Sequence, residues 1–244
     1  MRRILSYLPF LAAAAMFAAL FTASRHPSYL PYAVAAVGAV ALAASGTLCY
    51  QALLRGSAIA PGAMPALLAA GVSFSFFFLE NEVLRIAIAA AASILFMILI
   101  RHLSETAKLE GADEQLRALS EWSALVALLG ISAGLMASIT FLVWDVWLCA
   151  LVFACVAVYA SFTIARLSRV SGAVFPVAVS ALLVQGFVVI ALLPVSHWVG
   201  SGVLAVVTYL LFSMLTGLSA TAMKRTLISV GVMCGLLLGT ARWR

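Results

Sequence analysis

Residues 170–223 read VSGAVFPVAVSALLVQGFVVIALLPVSHWVGSGVLAVVTYLLFSMLTGLSATAM and contain no Asp, Glu, Lys or Arg. An α-helix rises about 1.5 Å per residue, so about 20 apolar residues cross a hydrocarbon core of roughly 30 Å. This stretch is therefore long enough for two membrane spans and the turn between them. Pro194, Gly200 and Gly202 are residues suited to that turn.

The whole chain has the composition of a membrane protein. Of its 244 residues, 66% are hydrophobic and 9% are charged, and the mean hydropathy is +1.19. So few charges could not cover the surface of a soluble domain of this size. The apolar runs are uniform, whereas a strand of a membrane barrel alternates over about ten residues. Because helices satisfy their own backbone groups in lipid, the sequence predicts an all-α, polytopic transmembrane helix bundle.

The uncharged runs predict eight or nine spans within a single integral membrane domain, residues 1–244. The last is the shortest. The predicted spans are 4–23, 32–54, 61–79, 83–100, 122–143, 146–165, 173–193, 202–222 and 226–241. The only sizeable polar segment, at about 101–121, is expected to be a cytoplasmic connector. Gly111 would separate an extension of the fourth helix from a short helix led by Asp113 and Glu114, whose charges suit a helix N-terminus.

The distribution of Lys and Arg predicts the orientation of the bundle. Positive residues accumulate on the cytoplasmic side of short loops. With the N-terminus inside, the outer segments hold Arg25, Arg85, Arg242 and Arg244. The inner segments hold Arg2, Arg3, Arg55, Arg101, Lys108, Arg117, Arg166, Arg169, Lys224 and Arg225. This bias of ten to four predicts a cytoplasmic N-terminus. The net charge of +6 is then explained without nucleic acid.

Catalytic motifs are not apparent in this sequence. The cysteines form no Cys-x-x-Cys pair, and all lie in predicted spans: Cys49, Cys149, Cys155 and Cys234. The histidines, which form no zinc motif, lie at predicted interfaces: His26, His102 and His197. A P-loop and a dinucleotide glycine motif are absent as well. We therefore expect a protein that is not an enzyme and that has no catalytic residue, metal, cofactor or disulfide.

The segment FFFLENEVLR, residues 76–85, carries the most concentrated polar chemistry. It partly resembles the Glu-Glu-x-x-x-Arg signature of intramembrane CAAX-type proteases. Asn81 replaces the second glutamate, however, and the later histidine motifs of that family are missing. A structured turn explains the segment: Glu82 would pair with Arg85, and Asn81 would tolerate left-handed backbone or bond nearby amides. The alternative is that Glu80 and Asn81 contact a ligand or partner within the bundle.

Two further features suggest how the helices interact. Gln51 and Gln185 are the most polar side chains within spans, where an amide is more often a link between helices than a ligand contact. Small residues recur every four positions in two predicted helices, and such stripes let backbones approach closely. These helix-packing candidates are Gly130 and Gly134 in the fifth span and Gly231, Gly235 and Gly239 in the last.

Three segments resemble multi-spanning inner-membrane proteins of reduced-genome bacteria that have no known activity. They are FFFLENEVLR, LPVSHWVGSGVLAVVTYLLFSMLTGL and KRTLISVGVMCGLLLGTARW. The resemblance implies a helical bundle and supplies no substrate. We expect a non-enzymatic structural, assembly or envelope-associated component whose partners are the lipid bilayer and a membrane protein or a second copy. The alternative is a carrier or channel for a small neutral or lipid-like molecule.

Overall fold

The protein is α-helical wherever the structure describes it. The computed structural model describes residues 2–54, 60–106, 114–168, 170 and 172–215. Within these ranges there are eight α-helices: α1 Arg2–Arg25, α2 Leu30–Leu54, α3 Met64–Phe76, α4 Glu82–Thr106, α5 Glu114–Phe141, α6 Val146–Leu167, α7 Val174–Ala191 and α8 His197–Leu215. Short 3₁₀ turns at Pro27–Tyr29 and Ala60–Ala63 precede α2 and α3. The all-α prediction is thus confirmed for the described residues.

Seven helices of the described part are long and apolar enough to cross a membrane, which is the architecture of a multi-pass membrane protein. The exception is α3, whose 13 residues extend about 20 Å and fall short of the hydrocarbon core. The span predicted over 61–79 is thus a shorter helix that ends at Phe76, where the Phe78 N–H turns back to the Ser75 carbonyl at 3.1 Å. The span predicted over 226–241 lies outside the described residues.

The polar segment at about 101–121 is largely helical where it is described. α4 continues to Thr106, and α5 begins at Glu114 and runs without a break to Phe141. The short helix expected after Gly111 is therefore the first part of α5 and not a separate element. Leu116 and Ser120 in these turns are buried, so this part of α5 already packs against protein.

The chain divides into two compact units, of which the first comprises Met1–Ala127. In this unit α1 packs against α4 and α2, while α3 packs against α2 and α4. The Ser45 hydroxyl on α2 accepts the Ala66 N–H at 3.0 Å, which satisfies one of the unpaired amides in the first turn of α3. The core is filled by large side chains with almost no exposure: Met16, Leu20, Met64, Leu68, Phe76, Phe96, Leu99 and Ile100.

Two helices of the first unit approach each other closely at Gly71 of α3. A methyl group on this residue would lie 2.5 Å from the Ala127 carbonyl oxygen and 2.6 Å from the Ala127 Cα. Both atoms belong to the backbone of α5. The backbones of α3 and α5 therefore meet here with no side chain between them.

The second unit comprises Leu128–Arg244 and is described as far as Leu215. Its helices α6, α7 and α8 pack against one another. The rings of Phe153 on α6 and Phe187 on α7 stack with centroids 4.7 Å apart, and both side chains are fully buried. Aromatic stacking at this distance adds about 0.5–1.5 kcal/mol beyond the burial of apolar area.

A tight turn joins α5 to α6 within the second unit. The Leu142 and Trp144 N–H groups both donate to the Ser138 carbonyl, at 2.9 Å and 3.3 Å. Val143 between them has a φ of 54°, the left-handed conformation that usually requires glycine. Asp145 then caps α6: its carboxylate accepts the N–H groups of Trp147 at 2.8 Å and Leu148 at 3.0 Å.

Candidate functional site

Charged and amide side chains gather in the first unit, where α1 ends and α4 begins. Arg25 is the last residue of α1, and Glu82 is the first residue of α4. Their side chains form an ion pair with 3.0 Å between Arg25 Nη1 and Glu82 Oε1. The pair links the C-terminal end of one helix to the N-terminal end of a helix packed against it. We call Arg25, Glu80, Asn81, Glu82 and Arg85 the α1–α4 end cluster.

Each partner of the ion pair lies where the helix dipole favours its charge. The positive Arg25 is at a helix C-terminus and the negative Glu82 at a helix N-terminus. The Arg25 guanidinium also lies 5.6 Å from the centre of the Phe21 ring, a favourable cation–π distance. About half of each charged side chain is exposed, so the pair contributes about 0.2–1 kcal/mol.

The predicted pair between Glu82 and Arg85 is not present. Glu82 turns toward Arg25 on α1, and no ion pair joins it to Arg85 within the described chain. The Arg85 side chain is partly buried, and its Nε atom is buried without a hydrogen-bond partner. The pairing of Glu82 is therefore set by tertiary contact between helices, which spacing along α4 does not reveal.

Asn81 is the N-cap of α4. Its side-chain oxygen accepts the Leu84 N–H at 3.1 Å, and its backbone carbonyl accepts the Arg85 N–H at 3.0 Å. The side chain thus satisfies one of the amides that a helix leaves unpaired at its start. Asn81 does not adopt the left-handed backbone considered from the sequence, since Val143 is the only described non-glycine residue with positive φ.

Glu80 is a member of the α1–α4 end cluster whose carboxylate is unpaired within the described structure. It is exposed, and it has no hydrogen-bond or ion-pair partner among the residues that the structure describes. The described ranges also contain no group of three His, Cys, Asp or Glu residues placed to hold a metal ion. The cluster therefore contains an ion pair, a helix cap and one exposed carboxylate that is able to accept hydrogen bonds.

The remaining candidates in the first unit do not join this cluster. Gln51 is half-buried near the C-terminal end of α2, whose first residue, Leu30, follows shortly after Arg25. Gln51 is 21 positions along the helix from Leu30, a length of about 30 Å. Gln51 thus lies near the end of α2 remote from Glu80 and Asn81.

Gln185 belongs to the second unit, on α7. Its side chain is exposed, and within the described residues it makes no hydrogen bond. The buried residues of α7 occupy the opposite side of the helix: Pro176, Val179, Ser180, Leu183 and Phe187. The amide therefore points away from the packed interior of its own unit.

The glycine candidates are described in part. Gly130 and Gly134 are both buried on α5, and the Ser138 hydroxyl donates to the Gly134 carbonyl at 2.9 Å. Gly231, Gly235 and Gly239 lie outside the described residues. Sequence reasoning missed Gly71, because a single glycine in α3 has no four-residue repeat to draw attention to it.

Aromatic residues collect at one end of the second unit, around His197. The Phe141 and His197 rings meet edge to face with centroids 5.7 Å apart, and the His197 and Trp198 rings lie 5.3 Å apart. Trp144 in the α5–α6 turn and Trp147 in the first turn of α6 are exposed. Tryptophan is enriched at membrane–water interfaces, and its concentration near the start of α6 and α8 is the signal that identifies this end.

Comparisons with known proteins identified no relative of this chain. No family model matches the chain, and the searches of curated proteins and of solved structures give no match.

Proposed function

We propose that the protein is a non-enzymatic component of a bacterial inner membrane that acts by binding other membrane helices. The role would be structural, or in the assembly of an envelope complex. The observation that carries the proposal is the position of Gln185. This amide lies on the exposed side of a membrane-spanning helix and has no partner within the described chain.

Gln185 lies near the middle of α7, where exposure of an amide to lipid is costly. α7 has 18 residues, and Gln185 lies about 4 Å along the axis from their midpoint. An amide moved into an apolar medium without hydrogen bonds costs roughly 2–7 kcal/mol. An amide or hydroxyl from another helix would remove much of that cost. A side chain that lined a transport path within the bundle would point inward, so outward placement favours association over transport.

The proposed topology has a cytoplasmic N-terminus and eight crossings through α8. Its support is the Arg25–Glu82 contact, which brings the start of α4 to the end of α1. The chain must therefore return from the far end of α2 across residues 60–81. α3 covers about 20 Å of that distance, and its flanking turns can supply the rest. α3 would then cross the membrane together with those turns.

Labelling of single cysteines in intact cells tests this topology. Residues Ser28 and Asp145 should react with a membrane-impermeant reagent from outside, and Ser104 should react only after the membrane is opened. Each is introduced as a cysteine in a chain whose native cysteines have been replaced. Labelling of Ser104→Cys from outside would contradict the orientation, and protection of only one of the first two sites would contradict the count of crossings.

The association itself is tested by sizing the full chain after extraction into lipid nanodiscs. We expect a complex larger than one chain, which Gln185→Leu reduces and Leu42→Ala leaves intact. Leu42 is the matched control because it is exposed near the middle of α2. A single chain at every lipid ratio would contradict the proposal. Uptake of a small neutral solute that Gln51→Leu abolishes, but Gln185→Leu does not, would favour a carrier instead.

A further inference from the structure

We infer that Arg85 binds the phosphate of a phospholipid headgroup at the membrane surface where α1 ends and α4 begins. This inference goes beyond the proposed function, because the ligand is a lipid and no other membrane helix is needed. It begins from a positive side chain that lacks an acceptor. The Arg85 Nε atom is buried without a hydrogen-bond partner, and Arg85 forms no ion pair within the described residues.

The position of Arg85 on α4 turns its side chain toward the interior of the first unit. Arg85 lies on the same side of the helix as Ala89, Ala92, Phe96 and Leu99, which follow it at intervals of three or four residues. All four of these residues are buried. The first inward position of α4 therefore holds a cation. A charge that leaves water is costly unless an opposite charge or a hydrogen-bond acceptor meets it.

The two carboxylates nearest to Arg85 in the sequence do not meet this need. Glu82 is paired with Arg25, with 3.0 Å between Glu82 Oε1 and Arg25 Nη1. Glu80 is exposed and forms no ion pair in the part of the chain that the structure describes. Arg85 itself is only partly buried, so an acceptor from outside the chain can reach its guanidinium.

Arg85 lies at the depth of lipid headgroups. It is the fourth residue of α4, whose apolar span begins at Glu82, so it is about 4.5 Å along the axis from the start of the span. Side chains of a helix tilt toward its N-terminus, and a long arginine side chain extends further toward the membrane surface. A guanidinium can donate two parallel hydrogen bonds to one phosphate. Its geometry therefore suits the phosphates that lie at this depth.

The surroundings of Arg85 favour a phospholipid over a free anion. The side chains of Val83 and Leu84 on α4 are 76% and 47% exposed, and Phe77 before the turn is also exposed. Such apolar surface suits the acyl chains beside a lipid phosphate, whereas inorganic phosphate gains nothing from it. The unpaired carboxylate of Glu80 also repels a doubly charged phosphate more than a phosphodiester with a single charge.

Native mass spectrometry of the purified full chain in detergent tests the inference. The probe is dioleoylphosphatidylethanolamine, and it is compared with dioleoylglycerol, which lacks the phosphate, and with inorganic phosphate. We expect the phospholipid to bind more tightly than either. Arg85→Gln should weaken its binding about 10-fold, as for the loss of a hydrogen bond to a charged group. Arg85→Lys should retain part of the affinity, because it keeps the charge but not the planar fork.

Arg101→Gln is the matched control. It removes the same charge from α4 at a position about 24 Å further along the helix, and its phospholipid affinity should equal that of the wild type. Thermal unfolding gives a second measurement. Added phospholipid should raise the melting temperature of the wild type and Arg101→Gln but not of Arg85→Gln, because a ligand stabilises the fold that binds it. Without lipid, Arg85→Gln should be at least as stable as the wild type, since it removes a charge that has no partner.

Four results would overturn the inference. An unchanged affinity in Arg85→Gln, or an equal loss in Arg101→Gln, would show that Arg85 is not a specific contact. Equally tight binding of dioleoylglycerol would exclude the phosphate as the recognised group. Inorganic phosphate that competes at equal concentration would identify a site for a soluble anion instead of a lipid. A loss of stability in lipid-free Arg85→Gln would assign Arg85 to the packing of the unit.

Discussion

Gly71 of α3 and Ala127 of α5 are in backbone contact. A methyl group on residue 71 would lie 2.5 Å from the Ala127 carbonyl oxygen and 2.6 Å from its Cα. These atoms cannot rotate away as the end of a side chain can, so relief would require the two helices to separate. Interiors packed at protein density resist such movement. The packing of the first unit therefore depends on residue 71 having no side chain.

Gly71→Ala should destabilise the protein. Overpacking of a close-packed core typically costs about 1–3 kcal/mol, and we expect a loss in the upper half of that range because the clash is with backbone. Thermal unfolding of the purified chain in detergent measures the loss. Gly38→Ala is the matched control, since nothing lies within 4 Å of a methyl group at that position of α2. Alanine favours helix over glycine by about 1 kcal/mol, so the control should be neutral or stabilised. Equal melting temperatures for the two variants would contradict the close approach.

This contact marks a limit of what the sequence predicts. Apolar runs identify membrane helices because the bilayer imposes a minimum length, and that part of the prediction is confirmed for seven helices of the described chain. A glycine is important for packing only when another backbone lies beside it, and this is a property of the tertiary structure. A search for four-residue repeats therefore selects Gly130 and Gly134 and passes over Gly71.

The ion pair between Arg25 and Glu82 can be measured with a double-mutant cycle. Arg25→Gln, Glu82→Gln and the double variant should give a coupling of about 0.2–1 kcal/mol, because both side chains are half exposed. The coupling should weaken in high salt, since exposed charges are screened. The same cycle with Arg85→Gln should give no coupling. Coupling of Glu82 to Arg85 and not to Arg25 would contradict the observed pairing.

The reason why that pairing could not be predicted is also physical. Residues three apart in a helix are neighbours, so the sequence alone favours Glu82 with Arg85. Arg25 becomes an alternative only when α1 and α4 pack with these ends together. The prediction succeeded for the local part of the turn, where Asn81 bonds the neighbouring Leu84 amide.

Asn81→Ala should remove the cap of α4 without removing the ion pair. Loss of an N-cap typically costs about 0.5–2 kcal/mol, whereas Asn81→Asp should retain stability because aspartate caps as well as asparagine. Glu80→Gln should leave unfolding unchanged, since Glu80 has no partner in the described residues. Thermal unfolding compares the three variants. A large loss of stability in Glu80→Gln, or none in Asn81→Ala, would contradict the roles assigned to these residues.

Val143→Gly should stabilise the turn between α5 and α6. A left-handed conformation costs a non-glycine residue about 1–2 kcal/mol, part of which glycine offsets through its greater freedom when unfolded. We expect a net gain of about 0.5–1 kcal/mol in thermal unfolding. Val174→Gly is the control, because Val174 is as exposed as Val143 but begins α7 without positive φ. That variant should be neutral or destabilised. A gain in stability from Val174→Gly, with none from Val143→Gly, would contradict the backbone strain assigned to Val143.

The central claim is that the chain associates with other membrane helices through Gln185 of α7. The most direct measurement determines the mass of the complexes that hold the full-length chain in nanodiscs extracted directly from its native membrane. We predict a wild-type complex larger than one chain. Gln185→Leu should retain about 3- to 30-fold less of that complex, since a hydrogen bond between membrane helices contributes about 0.6–2 kcal/mol. Leu42→Ala should follow the wild type. A single chain in every preparation, or equal amounts of the complex in the wild type and Gln185→Leu, would contradict the claim.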